Sequence, residues 1–176
     1  AATPIASGVA ALLLSAHPHL KNTQIRSIIL ESASNSSNPN NQIGYGIISA
    51  NDAIEFPNLE NVNNQYILHK TFLAENLIAN SVSIVFQVAD DMLEAIPMTK
   101  SGDYEYTYTF PLKNNGDLVE FMIVYSDSQN NNYTLPQSGK FKFNYGSDII
   151  SLNLDVPSLP NYGDVSDFFP NPFVPA

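Results

Sequence analysis

A change of texture along the 176 residues predicts an α+β chain. Residues 1–56 place apolar side chains at helical spacing, residues 66–155 alternate apolar and polar positions with a period of two, and residues 156–176 are rich in proline. Between the first two zones, PNLENVNNQ (57–65) reads as a linker. The length suits one large domain or two small ones.

The first helix is expected in AATPIASGVAALLLSAHP. Ile5, Val9, Leu12 and Leu13 fall at helical spacing, and Ala6, Gly8, Ala10 and Ala11 fill the other faces with small side chains. A helix that is apolar all round is enclosed by protein. Gly8 costs roughly 1 kcal/mol relative to alanine in a helix interior, so a neighbouring backbone is expected close to it. Pro18 disfavours helical backbone at His17 and ends the element.

A second helix should start with Asn22 or Thr23 as its N-cap and bury Ile25, Ile28 and Ile29. Ser32–Gln42 is polar and turn-forming throughout, which predicts an exposed loop. IGYGIISANDAI (43–54) then predicts a tight glycine turn, a short apolar segment and a last helical turn capped near Ser49 or Asn51.

Beyond the linker the period becomes two. Val82, Ile84, Phe86 and Val88 alternate with polar neighbours, as do Tyr104, Tyr106, Tyr108 and Phe110, and again Phe141, Phe143 and Tyr145. Turn signals separate these runs at 100–103, 114–117, 130–132 and 137–139. Six or seven short strands at this spacing predict an antiparallel β-sandwich of immunoglobulin or fibronectin type.

Composition narrows the function. Asp and Glu number 17 against 7 Lys and Arg, a formal net charge of −10, so a polyanionic partner is repelled and nucleic acid binding is not expected. With no cysteine there is neither a disulfide framework nor a thiolate metal site. The longest apolar run, Ile5–Leu14, is about half of the ~20 residues needed to cross a bilayer, so no transmembrane segment is expected. No basic region precedes it and no methionine starts the chain, which reads as a processed product or a fragment.

The helical zone carries a family resemblance. Ala1, Ala2, Thr3 and Pro4, the helix containing Ala6, Gly8, Ala10, Ala11 and Leu12, the pair His17-Pro18, the run Thr23, Gln24, Ile25 and Arg26, and finally Gly44, Gly46, Ile47 and Ala50 occur in series. Together they resemble the C-terminal end of the catalytic domain of subtilisin-like serine proteases. In that family a Gly-Thr-Ser-x-Ala-Thr-Pro motif holds the nucleophile at the start of a central helix. The resemblance implies that the serine is the residue immediately before Ala1, and that Ala1–Pro4 are the motif's second half. A serine at a helix N-terminus has free N–H groups and the positive dipole end beside it, which hold an oxyanion.

The family's Asp, His and oxyanion Asn also lie upstream of the serine. The chain by itself is therefore expected to contain no catalytic residue and to be inactive, whereas the parent would be a secreted bacterial endopeptidase acting on protein or peptide substrates. Residues 1–56 alone are expected to hold their shape poorly, since the first helix would lose the sheet that normally encloses it.

Two further resemblances extend this organisation. SGDYEYTYTFPLKNNGDLVEFMIVYSDSQNNNYTLP is similar to the small sandwich modules that follow catalytic domains in large secreted bacterial hydrolases, which implies an accessory role. FFPNPFVPA (168–176) resembles the opening of the C-terminal sorting domains of the bacterial type IX route, which implies contact with secretion machinery at a cell surface or beyond it. The alternative from another class is a non-enzymatic secreted or cell-surface β-sandwich binding module.

Residues that can carry chemistry are few. His17, His19 and His69 are each read as structural or surface histidines, because no nucleophile is indicated within reach of any of them. Ser7 and Ser15 read as small helix residues, and Gly44-Tyr45-Gly46 as a turn, not a phosphate cradle. Calcium could be held in the oxygen-rich loops at Asp90-Asp91, Asp127 with 130–132, or Asp148, but none has a recognisable calcium-loop pattern; no cofactor is expected. The stripe Tyr104, Tyr106 and Tyr108 is assigned to a sheet face and partly to the core, with a carbohydrate platform as its alternative.

Overall fold

The computed structural model describes residues 2–74, 76–88 and 94–153. The motif residue Ala1, the pair Asp90-Asp91 and the tail 156–176 lie outside the described residues.

Three helices come first: α1 (Ala2–Ala16), α2 (Asn22–Glu31) and α3 (Ala50–Glu55). Helix α1 ends just before His17-Pro18, as the proline requires. Helix α2 is capped one residue earlier than predicted. Lys21 is extended at the N-cap and its N–H donates to Gln24 Oε1 at 2.9 Å, the backward half of a capping box. In α3 the N-cap is Ser49, whose Oγ accepts from Asp52 N at 3.2 Å.

The glycine turn before α3 has a steric cause at Gly46. Its φ is +90°, and a Cβ there would meet Ser34 Oγ at 2.4 Å and Asn35 N at 2.8 Å. Gly8 departs from expectation, because nothing among the described residues lies within 4 Å of the position its Cβ would take.

Ten strands follow among the described residues: β1 (Asn58–Val62), β2 (Gln65–Thr71), β3 (Ser83–Val88), β4 (Glu94–Pro97), β5 (Thr99–Lys100), β6 (Glu105–Thr109), β7 (Leu118–Ser126), β8 (Asn132–Leu135), β9 (Lys140–Asn144) and β10 (Ser151–Asn153). All pairings are antiparallel, in two sheets. One runs β1-β2-β6-β5 and the other β10-β9-β7-β3-β4, with β8 also on β7.

The segment expected as a linker is a correction. Residues 58–62 form β1, joined to β2 by Asn63 and Asn64, with φ of 52° and 66°. Asparagine tolerates this left-handed backbone, and two such residues in a row make the tight turn whose twist matches a β-hairpin. The polarity of NVNNQ thus belongs to a hairpin tip.

Aromatic rings join the sheets into a sandwich. Tyr66 and Phe143 meet at 5.5 Å, Phe110 and Phe143 at 5.1 Å, Phe86 and Tyr108 at 5.4 Å, and Phe72 and Tyr125 at 4.9 Å. The period-two runs supply this interior: Ile84, Val119, Phe121, Ile123, Phe141 and Phe143 are all buried.

The helices share that core. Leu13, Leu20, Ile28, Ala53 and Phe56 belong to the same apolar cluster as Leu59, Leu68 and Phe141, and Phe56 meets Phe141 edge-on at 5.7 Å. Buried Gln24 adds polar ties, donating from Nε2 to Leu59 O at 2.7 Å and to Asp148 O at 2.9 Å. Among the described residues no helix is long and apolar enough to cross a membrane.

Candidate functional site

Thr3 and Pro4 lie in the first turn of α1, and the residues after them expose much of the helix. Ile5 is 62% exposed, Leu12 52% and Leu14 47%, while Val9 and Leu13 are buried against the rest of the chain. Ser7 Oγ donates back to Thr3 O at 3.1 Å and so behaves as a helix residue satisfying itself. Between α1 and α2 runs an open groove of about 330 Å³ lined by Thr3, Ala6, Ser7, Ala10, Ile25 and Ile29.

The three histidines, separated by up to 52 positions in the sequence, converge. His17 and His19 lie in the turn after α1, and their ring centroids are 6.0 Å apart. His69, on β2, stacks on His19 at 4.4 Å. Register explains the carboxylates beside it: Asn58 is directly opposite His69, Glu60 lies two residues further along the same face of β1, and Glu105 comes from β6.

Each ring is held. His17 is buried and donates from Nε2 to Ile54 O at 3.2 Å, leaving its buried Nδ1 without a partner. Burial lowers its pKa, which the Ile54 carbonyl partly opposes, so it stays neutral near pH 7. His19 Nε2 pairs with Asn58 Oδ1 at 2.7 Å. His69 pairs through Nδ1 with Glu105 Oε1 at 3.0 Å and through Nε2 with Glu60 Oε2 at 3.3 Å, its side chain only 12% exposed. Burial pushes the Glu105 carboxyl up, but hydrogen bonds from His69 and Ser101 outweigh it and hold the group below its usual value.

Along the sequence the histidines stand as isolated residues, and nothing there links them to Glu60, Glu105 or Asn58. The only local signal was the spacing His17-Pro18-His19; the rest depends on strand register.

On the far side of the α3 segment a cleft of about 280 Å³ is lined by Glu31, Asp52, Glu55, Phe72, Tyr125 and Phe141, among others. Lys70 sits at its wall, buried, with Nζ donating to Glu55 O and to Thr71 O and lying 4.6 Å from the Phe72 ring centre. Burial lowers its pKa to about 8, against a weaker upward pull from Glu55.

The oxygen-rich loops have structural employment. Asp127 Oδ1 accepts from the N–H groups of Gln129 and Asn131, both at 2.9 Å, and Oδ2 from Asn131 Nδ2 at 3.0 Å and Tyr133 Oη at 2.9 Å. The bonds from Asn131 hold this carboxyl below its usual value. Asp148 pairs with Lys21 Nζ and accepts from Asn61 Nδ2 at 3.3 Å, pinning the start of α2 to β1. In the tyrosine stripe, Tyr106 is buried, Tyr108 packs on Phe86 and Phe110, and Tyr104 is exposed, so the stripe is mostly interior.

The sequence model of the subtilase family matches residues 1–46, roughly a quarter of the chain. No curated protein matches significantly. Among solved structures, a β-1,3-glucan-binding domain, a carbohydrate-binding module of family 56, is similar with a TM-score of 0.40 at 15% identity, over 50% of this chain and 95% of that one. A bromine derivative of a family 56 module is similar with a TM-score of 0.40 at 16% identity, over 51% and 94%. Residues 1–46 are thus similar to the subtilase family, and the strands after them form a two-sheet antiparallel sandwich.

Proposed function

We propose that the chain is part of a secreted bacterial subtilisin-like serine endopeptidase. Residues 1–56 would be the C-terminal part of its peptidase domain, the strands from β1 onward a non-catalytic accessory sandwich, and residues 156–176 the beginning of a sorting segment. Peptide-bond cleavage by Ser-His-Asp acyl transfer would belong to the parent, with the serine next to Ala1 as nucleophile.

One observation carries this reading. The subtilase match covers the helix that opens on Thr3-Pro4, and that helix turns Ile5, Leu12 and Leu14 to solvent although its sequence is apolar all round. In a subtilase catalytic domain this helix runs against the central sheet, so the exposed face and the empty space beside Gly8 are where that sheet would pack.

The sandwich reading sharpens to an immunoglobulin-like topology. Taken as strands A, B, E and D, the order β1-β2-β6-β5 matches one sheet of that fold, and β9-β7-β3-β4 matches G, F, C and C′ of the other.

A fluorophosphonate serine probe tests the assignment. The 176-residue chain should remain unlabelled, and the polypeptide encoded together with its upstream sequence should label at the serine preceding Ala1. Single-site labelling of the 176 residues, or an upstream sequence lacking Gly-Thr-Ser, would overturn it.

A further inference from the structure

We propose that His19, His69 and Glu60 form a binding site for a divalent transition cation of the zinc class, tying the turn after α1 to strands β1 and β2. One ligand atom from each of the three lies within 4.8 Å of the other two. Three ligands at zinc bond lengths of about 2.0–2.2 Å and tetrahedral angles stand roughly 3.4 Å apart, so the set closes by small side-chain rotations.

The hydrogen bonding of His69 favours a cation. A neutral imidazole can donate from one nitrogen only, yet both of its nitrogens face carboxylates: Nδ1 faces Glu105 and Nε2 faces Glu60. With Nδ1–H donated to Glu105, the Nε2 lone pair and the Glu60 oxygen confront each other at 3.3 Å, the arrangement that a shared cation resolves. The outer contacts fit the same role. Glu105 on His69 and Asn58 on His19 are the carboxylate and carbonyl partners that fix the tautomer of metal-ligating histidines.

A second, independent observation adjoins the first. Buried His17, whose ring centre is 6.0 Å from that of His19, has an Nδ1 with no hydrogen-bond partner, and a water on a three-ligand cation is the kind of donor that would satisfy it. Two imidazoles and one carboxylate select zinc, cobalt or nickel over calcium or magnesium, which prefer all-oxygen sets. The site does not depend on the protease reading.

Titration of the tag-free 176-residue chain with Zn²⁺ by calorimetry, together with thermal unfolding, tests it. The expected result is one bound equivalent and a midpoint raised by about 5–10 °C at a hundredfold excess over Kd, with no comparable shift from Ca²⁺. Glu60→Gln, His19→Ala and His69→Ala should each weaken binding by more than the 10–100-fold typical of losing an outer partner, and Glu105→Gln by about that amount. Glu60→Gln changes neither size nor core, so it serves if a histidine variant fails to fold. The Co²⁺-loaded chain should give the intense visible absorption of a four-coordinate site. No saturable Zn²⁺ binding, or one equivalent retained in Glu60→Gln with unchanged Kd, would overturn the proposal.

Discussion

Helix α1 and the interior of the sandwich are built from the same kind of residue and meet opposite fates. Phe110, Phe121 and Phe143 are all but invisible to solvent and touch one another ring to ring, whereas Ile5, Leu12 and Leu14 of α1 stand about half exposed or more. An apolar side chain stabilises only in proportion to the area it removes from water, at about 25 cal/mol per Å², so the same composition contributes in one place and is idle in the other. The difference teaches that one face of α1 stays open to solvent while the facing sides of the two sheets are closed by each other.

The sharpest way to break this contrast is in the sandwich. Phe121 is on the central strand β7, between β3 and β9, with rings of Phe110 and Phe141 around it. Phe121→Ala should lower unfolding free energy by about 3–5 kcal/mol, measured by urea denaturation, because neighbours held by two ladders cannot collapse into the void.

A smaller effect distinguishes the packed junction. Lys70 is protonated in both states below pH 8, where its burial opposes folding. Between its lowered folded value of about 8 and the ordinary 10.5 the unfolded chain binds the extra proton, so stability must rise with pH. The gain is on the order of 3 kcal/mol over that window. Measured against Lys70→Met at each pH, the unmodified chain should become relatively more stable from pH 8 to 10.5; a flat difference would show that Lys70 does not titrate there.

The smallest effect is expected on α1. Leu12→Ser should change the stability of the 176-residue chain by no more than about 0.5 kcal/mol, as at other exposed positions. Under the proposed function, the same change in the longer parent should cost several times more, because that face would be covered there. Equal effects in both would remove the contrast between the two regions.

How much could be read beforehand follows the range of the forces. The end of α1 at Pro18, the Ser49 cap and the turns at 114–117 and 130–132 are set by one or two residues, and they were legible. Strand β1 was not, since Asn61 to Gln65 is as polar as a linker and becomes a hairpin only by pairing with β2. The short strands β5 and β10 carry too few residues for a period to show. The histidine cluster was illegible for the same reason as β1. It needs Asn58 opposite His69 across two strands and the turn after α1 laid over them, none of which is encoded in local spacing.

The core shared by α1, α2, α3 and the sheets has a consequence for how such a gene can be shuffled. The subtilase match ends at residue 46, but Leu13, Leu20 and Ile28 before that point share one apolar cluster with Phe56, Leu59 and Phe141 after it, and Gln24 bonds across it. A recombination joint placed there would separate halves of one folding unit, opening an apolar flank on each product. Here the limit of a segment that could be exchanged as one piece is set by shared burial and not by where the sequence match ends.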